Sequence, residues 1–201
     1  MDAVVDQDHV PAAVAVLRGL PSATADPEGG PHRILLEGTK VEVLEVGLMT
    51  DPDDLGDLSE RQRLFVSAHS WALETATPLT VATMGRDSVQ ATAPFAAPAA
   101  LVAMKLHAIQ DRSGDGQSKR AGDAWDIHQL LSHHNRNGQI TEALRTGPEP
   151  LRLAVYAAAQ RVLVDGAART RAWLRSGGGA QAGVSAEEIA RLGRELSEGI
   201  S

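Results

Sequence analysis

Cysteine is absent from the 201-residue sequence, which excludes disulfide bonds, cysteine-ligated zinc and thiol nucleophiles. Aromatic residues make up only 3% of the chain, so the core must be built mainly from Leu, Val, Ile and Ala. No apolar run is long enough to span a bilayer, because Pro94 and Pro98 interrupt the longest apolar-rich stretch, residues 91–104. The acidic start of the sequence also lacks the basic and apolar regions of a secretory signal. These features predict a cytoplasmic protein with no membrane partner.

Positive charge is also in short supply. The sequence has 19 basic against 26 acidic residues and a formal net charge of −7, the opposite of what a general nucleic-acid-binding surface needs. DNA is therefore not an expected partner. One segment, residues 161–175, contains Trp173 among four arginines, Arg161, Arg169, Arg171 and Arg175. This run is compatible with a basic stripe for RNA, but it is more typical of a solvated helix face.

The order of predicted elements is β-rich first and helical afterwards. Strands are expected at residues 2–6, at 33–46 as a hairpin around Gly38, and at 79–84 and 88–92 around a turn at 85–87. Residues 21–31 are rich in Pro, Gly and acids and are predicted to be a loop, whereas residues 59–73 are expected to be partly helical. Helical patterning dominates from Pro98 onward. This order predicts an α+β fold with a small mixed sheet followed by a helical bundle.

Three regions follow from this order. Residues 1–95 are expected to form the α/β core, residues 96–176 the helical bundle, and residues 177–201 a glycine-rich flexible linker with a terminal helix. The terminal helix should span 186–196, because Ser185 and Glu188 have the spacing of a capping box.

A lysine within an apolar helix is the first candidate functional residue. Leu101, Met104 and Ala108 recur at helical spacing and predict an apolar stripe, which Val102, Leu106 and Ile109 widen. Lys105 lies between these positions. On such a stripe an ammonium group must either extend to solvent or meet an anion. A flexible lysine is also well suited to contact a phosphate group.

The next helix supplies carboxylates. Asp123 and Asp126 are three residues apart, so both lie on one helix face. Carboxylates beside aliphatic residues require a partner, and the nearby basic residues are Lys105, Arg112, Lys119 and Arg120. A structural salt-bridge cluster and a phosphate-binding site both explain this arrangement.

These two helices resemble the C-terminal signature of nucleotidyltransferase-like proteins, and more narrowly of the AbiEii/AbiGii abortive-infection toxin type. The matching residues are Lys105, Arg112, Asp123, Asp126, Ile127, Leu130 and Leu131. That family often has a basic residue directly before the first Asp, where this chain has Gly122, and Lys119 or Arg120 could substitute for it. The resemblance extends over residues 2–131 and is strong over residues 101–131.

The resemblance also implies a nucleotidyltransferase-like sheet with three carboxylates, two in a D-x-D motif on one strand and the third on a neighbouring strand. Asp2 corresponds to the second acid of D-x-D, and Glu42 corresponds to the third acid, where the family usually has Asp. The first acid would then precede Met1. The chain is accordingly expected to be N-terminally truncated, to have a misassigned start, or to be a degenerate family member.

The function implied by the resemblance is transfer of a nucleotide from an NTP to an RNA or protein acceptor with Mg²⁺, in a toxin–antitoxin context with a cognate antitoxin protein. The implied metal ligands are Asp2 and Glu42. The implied phosphate contacts are Lys105, Arg112 and Lys119. The implied catalytic residues are Lys105, Asp123 and Asp126, with Asp126 positioning or activating the acceptor or orienting Lys105.

Two alternatives remain open from the residues. The first is a non-catalytic member of the same fold that binds a nucleotide or a protein and has lost part of its D-x-D metal site. The second is a plain structural α+β domain whose Lys–Asp cluster is a salt bridge.

Two other groups of polar residues give weaker signals. The histidines at 128, 133 and 134 have no metal-binding motif and are expected at a solvated helix end. Ser67 and Ser70 flank His69, but no nucleophile elbow surrounds either serine. Neither group predicts a site.

Overall fold

A computed structural model of the chain describes residues 2–6, 9–20, 22–27, 30, 32–36, 39–46, 55–82, 90–112, 117–178, 181 and 183–201. Contacts between residues divide it into two compact units, Met1–Thr50 and Asp51–Ser201. The first unit contains a small mixed sheet, and the second contains a two-stranded sheet and most of the described helices. The predicted α+β class, a small sheet followed by a helical region, is confirmed.

The first unit is a four-stranded sheet with one described helix. Its elements are β1 (Asp2–Asp6), α1 (Val10–Arg18), β2 (Ala23–Ala25), β3 (Arg33–Leu36) and β4 (Thr39–Val46). The strand order is β1-β4-β3-β2, and β1 is parallel to β4 whereas the other neighbours are antiparallel. Val10 and Val14 of α1 pack with Ile34 and Val43 of the sheet. This small aliphatic cluster is the core of the unit.

One prediction in this unit is confirmed and another is wrong. Strands β3 and β4 pair antiparallel as the hairpin prediction requires, although Gly38 itself lies outside the described residues. The predicted loop at 21–31 contains strand β2, in which Thr24 pairs with Leu35 and Ala25 with Ile34. A strand of three residues is too short to show an alternating pattern, so its conformation depends on the pairing partner rather than on local sequence.

The second unit begins with a helix and a β-hairpin. Its first elements are α2 (Glu60–Glu74), β5 (Thr77–Ala82) and β6 (Gln90–Phe95). Ser59 and Gln62 form a reciprocal capping box that fixes the start of α2, so the partly helical prediction for residues 59–73 is confirmed. Strands β5 and β6 are antiparallel as expected, and the predicted turn at 85–87 lies outside the described residues.

Helices form the rest of the second unit. They are α3 (Pro98–Asp111), α4 (Gln117–Gln129), α5 (Gln139–Arg145), α6 (Glu149–Ala159), α7 (Ala167–Gly177) and α8 (Ala186–Ile200). Two π-helical turns, Leu130–His134 and Gln160–Val164, continue α4 and α6. Helix α3 packs against α2 and α4, and α4 packs against α7. Among the described residues, no helix has the length and apolar character needed to cross a membrane.

Helix α8 begins where the sequence predicts. The Ser185 side chain accepts a hydrogen bond from the Glu188 backbone N–H, which satisfies one of the amides left without a partner at a helix start. The helix continues to Ile200, past the predicted end at 196, because Leu196 and Ile200 are both buried in the core. Tertiary burial thus extends a helix that local signals alone leave shorter.

Candidate functional site

The buried face of α3 determines where Lys105 lies. Val102, Leu106 and Ile109, which were predicted to widen the apolar stripe, are buried together with Ala99, Ala100 and Ala103. The predicted centre of the stripe is wrong, because Leu101, Met104 and Ala108 are only partly buried. Lys105 therefore lies at the margin of the apolar face, and its side chain is 31% exposed.

The Lys105 ammonium group lies between two carboxylates of α4. Its Nζ is 3.1 Å from Asp123 Oδ1 and 2.8 Å from Asp126 Oδ2. The other oxygen of Asp123 accepts a hydrogen bond from Arg112 Nε at 2.5 Å. We call these four residues, Lys105, Arg112, Asp123 and Asp126, the Lys105 cluster. The structure thus brings together all three residues that the sequence predicts to be catalytic.

Burial divides the cluster into two ends. The Asp123 side chain is only 3% exposed, whereas that of Asp126 is 47% exposed. A buried carboxylate is stable only when its oxygens have partners, and Asp123 has one cation on each oxygen. Asp126 holds the same ammonium group from the solvent side. The predicted need for a cationic partner is therefore met by Lys105 and Arg112.

The charge state of Lys105 is set by opposing effects. Burial lowers the pKa of Lys105, whereas the hydrogen bond to Asp126 and the charge of Asp123 raise it, and the pKa lies above its ordinary value. Lys105 is thus an ammonium at neutral pH. Two cations and two carboxylates make the cluster neutral as a whole. The ammonium has three N–H donors, and the described residues use two of them.

The other basic residues of α4 lie outside the carboxylate cluster. Lys119 is exposed, and among the described residues it makes no ion pair. Arg120 Nη2 donates to the backbone carbonyl of Arg112 rather than to a carboxylate. A Cβ added at Gly122 would meet nothing within 4 Å, so the helix has room for the basic residue that the family often has there.

The two predicted metal ligands are paired in the backbone of the first unit. Asp2 of β1 and Glu42 of β4 are Cα partners in the parallel register, so they occupy equivalent positions on neighbouring strands. The Glu42 carboxylate accepts a hydrogen bond from Arg33 Nη2 at 2.9 Å. Within the described ranges, no group of three or more acidic or histidine side chains is placed to hold a metal ion. The assignment of Asp2 and Glu42 as metal ligands therefore stays a prediction.

The expectation of a solvated helix end is wrong for His128. This residue is 9% exposed, its ring stacks on Trp125, and its Nε2 lies 2.8 Å from Glu188 Oε1. Helix α8 covers the imidazole. This contact joins residues 60 positions apart, so the sequence around His128 does not predict it. His133 and His134 are exposed as predicted.

The two serines around His69 make contacts with residues of their own helix, α2. Ser67 donates to the Arg63 carbonyl at 2.6 Å, and Ser70 lies 3.4 Å from the Glu74 carboxylate. His69 Nδ1 is 2.7 Å from the Phe65 carbonyl. All three side chains are buried in α2.

The sequence did not identify a cleft where several helices meet. It has a volume of about 390 Å³ and is lined by Arg61, Arg120, Arg161, Arg169 and Trp173, together with residues of α3. The signal that could have revealed it is the 161–175 run, since three of its five basic or aromatic residues line the cleft. Arg171 and Arg175 do not line it.

Comparison with protein-family models, curated proteins and solved structures finds no match to this chain. The geometry of the Lys105 cluster and of the arginine-lined cleft therefore carries the functional argument.

Proposed function

We propose that this chain is a nucleotidyltransferase-like protein that binds a nucleotide through Lys105. The observation that carries the proposal is the position of the Lys105 ammonium, at 2.8 and 3.1 Å from two carboxylates of the next helix at a partly exposed margin. This is the constellation on which the resemblance to nucleotidyltransferase-like proteins rests. The cysteine-free sequence suits action in the cytoplasm.

The geometry supports distinct roles for the two ends of the cluster. Asp123 and Arg112 fix Lys105 from the buried side, because both Asp123 oxygens are in contact with cations. The third N–H donor of the ammonium, which no described residue accepts, would contact a phosphate oxygen. Asp126 is half-exposed, so its carboxylate is placed to accept a hydrogen bond from a ligand hydroxyl. Lys105 would thus act as a point charge held in one position.

Binding is tested by calorimetric titration of the full chain with NTPs. Lys105→Met and Asp126→Asn are expected to weaken binding, whereas Arg194→Met, an exposed cation on α8, should bind as the unaltered chain does. Circular dichroism of each variant separates lost binding from lost folding, because Lys105 also joins α3 to α4. Equal affinity of Lys105→Met and Arg194→Met, both folded, contradicts the proposal.

A second candidate function is Mg²⁺-dependent transfer of the nucleotide to an RNA or protein acceptor. It is favoured by one observation, the pairing of Asp2 with Glu42 on neighbouring parallel strands. When bound, Mg²⁺ would neutralise phosphate charge, and Asp2 and Glu42 would be its ligands. The Glu42 carboxylate is bound to Arg33, and the described residues supply no third metal ligand beside Asp2 and Glu42. The proposal that Lys105 binds a nucleotide is therefore made without reference to a metal ion.

Transfer is tested by incorporation of labelled NTP with Mg²⁺ present, using cellular RNA and protein, including a cognate antitoxin, as acceptors. Incorporation that is lost in Glu42→Gln and in Asp126→Asn establishes transfer. Nucleotide binding without incorporation assigns the chain to the non-catalytic alternative. Gly122→Lys restores the basic residue common in the family at a position with open space, and a gain of incorporation would show that its loss limits the activity.

A further inference from the structure

We propose that the cleft lined by Arg61, Arg120, Arg161 and Arg169 binds a polyphosphate group of the kind that a nucleoside triphosphate carries. The cleft shares no residue with the Lys105 cluster, so this inference goes beyond the proposed function. Its volume of about 390 Å³ lies in the range of roughly 300–1,000 Å³ usual for small-molecule sites. The lining residues come from α2, α3, α4, α7 and the π-helical turn after α6.

The charge of the cleft is the opposite of that of the whole chain. Four arginines line it, and none of the described residues that line it is acidic, whereas the chain carries a net charge of −7. Two of the arginines also line a second, neighbouring cleft and pair with acidic residues there. Arg161 lies 2.7 Å from Glu60, and Arg61 lies 3.6 Å from Asp111. Two positive charges remain without a carboxylate partner among the described residues.

Arg120 and Arg169 are the arginines without such a partner. Both guanidinium groups lie over the Trp173 ring, with their Cζ atoms at 5.5 and 5.4 Å from its centroid. Arg120 Nε is buried and has no hydrogen-bond acceptor in the described part of the chain. The indole ring attracts each guanidinium group, but the two like charges repel each other. A buried N–H without an acceptor is also unfavourable. An anion in the cleft relieves both.

The other two arginines are available to the same anion. The side chains of Arg161 and Glu60 are 51% and 43% exposed, and those of Arg61 and Asp111 are 55% and 62% exposed. Exposed ion pairs contribute little to stability, so exchange of a carboxylate for a ligand phosphate costs little. Gln110 already holds Arg161 Nη1 through its side-chain oxygen at 2.9 Å, which keeps the guanidinium at the cleft.

The chemistry of the cleft favours phosphate over a stacked base. Guanidinium groups bind phosphate with paired, charge-assisted hydrogen bonds, and several of them converging suit a group with several negative charges. Trp173 is half-buried against the core and is already in contact with two cations. Single-stranded RNA requires open aromatic surfaces for successive bases, and Trp173 is the only aromatic residue among those that line the cleft.

The test is a calorimetric titration of the full chain without divalent cations. The ligands are ATP, GTP, inorganic tripolyphosphate, adenosine and a short single-stranded RNA. Arg169→Ala removes an exposed arginine of the cleft, and Arg171→Ala is the matched control, since Arg171 is an exposed arginine of the same helix that does not line the cleft. Tripolyphosphate should bind, and Arg169→Ala should weaken it about tenfold or more.

Each outcome decides the inference. Tripolyphosphate and NTP binding that falls in Arg169→Ala but not in Arg171→Ala supports it, and the ratio of their affinities shows whether the nucleoside adds to recognition. No binding of tripolyphosphate, equal weakening by both variants, or adenosine binding as tightly as ATP overturns it. RNA bound more tightly than every NTP also overturns it and assigns the surface to nucleic acid. NTP affinity that falls in Lys105→Met but not in Arg169→Ala would overturn this inference and support the proposed function.

Discussion

The Lys105 cluster and the arginine cleft place similar cations in opposite surroundings. In the cluster, Lys105 and Arg112 face Asp123 and Asp126, so positive and negative charges are equal. In the cleft, four arginines converge, and the described part of the chain adds no acidic residue to its walls. Helix α4 contributes to both regions, with Asp123 to the first and Arg120 to the second.

The difference separates charges that stabilise the fold from charges left for a ligand. A carboxylate as buried as Asp123 requires its cations, so their removal must destabilise the helix pair. Among the described residues, Arg120 and Arg169 of the cleft have no carboxylate partner, and as like charges beside one indole ring they repel each other. The charges of the cluster are therefore balanced within the fold, whereas two cations of the cleft have no carboxylate partner among the described residues. The following predictions test this contrast.

The largest effect is expected for Asp123→Ala. This change leaves Lys105 and Arg112 partly buried without their shared carboxylate, and breaking such a buried pair costs about 3–5 kcal/mol. Urea unfolding monitored by circular dichroism measures the free energy of unfolding. Asp123→Asn retains the shape and should lose somewhat less. A loss below about 1 kcal/mol in both variants would mean that the cluster does not stabilise the helix pair.

The next effect concerns His107. This residue lines a second cleft, next to the arginine cleft, and Arg61 and Arg161 line both clefts. Burial lowers the pKa of His107 to about 4, with further contributions from the charges of His69 and Arg61, while Asp111 acts in the opposite direction. The folded protein thus resists a further positive charge beside its arginines.

The sign of the pH dependence follows from this lowered pKa. Between the ordinary pKa of 6.5 and about 4, the unfolded chain binds the His107 proton and the folded chain does not, so stability falls as pH falls. The loss is about 2–3 kcal/mol across this range. Comparison of wild type with His107→Gln by urea unfolding at several pH values isolates it, and His133→Gln is the exposed control. Identical slopes for wild type and His107→Gln would contradict the prediction.

A matched pair of cation removals compares the two regions directly. Lys105→Met should lower the free energy of unfolding by about 1–2 kcal/mol, because Asp123 keeps only Arg112 as a partner. Arg169→Met should change it by less than about 0.5 kcal/mol, or raise it, because it relieves repulsion with Arg120. Chemical denaturation of both variants measures the difference. Equal losses would show that the cleft cations also serve the fold.

Local spacing explains what could be predicted from the sequence. Asp123 and Asp126 share a helix face because they are three residues apart. Only a few basic residues lie close to them in the sequence. The pairing of β3 with β4 and the start of α8 also follow from short-range signals. Each of these features depends on residues within a few turns or one hairpin of each other.

Long-range packing explains the rest. In α3 nearly every residue before Lys105 is apolar, so the sequence offers no contrast from which to choose the buried stripe. His128 is covered by Glu188, 60 residues away, and Arg161 pairs with Glu60, 101 residues away. Arg161, Arg169 and Trp173 are close in sequence, but Arg61 and Arg120 join them only through the packing of α2 and α4. A cleft assembled from five elements therefore leaves only part of its lining in a local sequence pattern.

The smallest effect is expected for Asp126→Asn, and it decides what the exposed end of the cluster is for. The Asp126 side chain is 47% exposed, and an ion pair at such a position contributes about 0–1 kcal/mol. The change should therefore lower the free energy of unfolding by less than about 0.5 kcal/mol while it weakens NTP binding, because the amide holds the ammonium less firmly. Unfolding and calorimetric titration of the same preparation give both numbers. A loss of stability as large as that of Asp123→Ala would show that Asp126 stabilises the fold. Unchanged stability together with unchanged NTP affinity would show that Asp126 contributes neither to folding nor to binding.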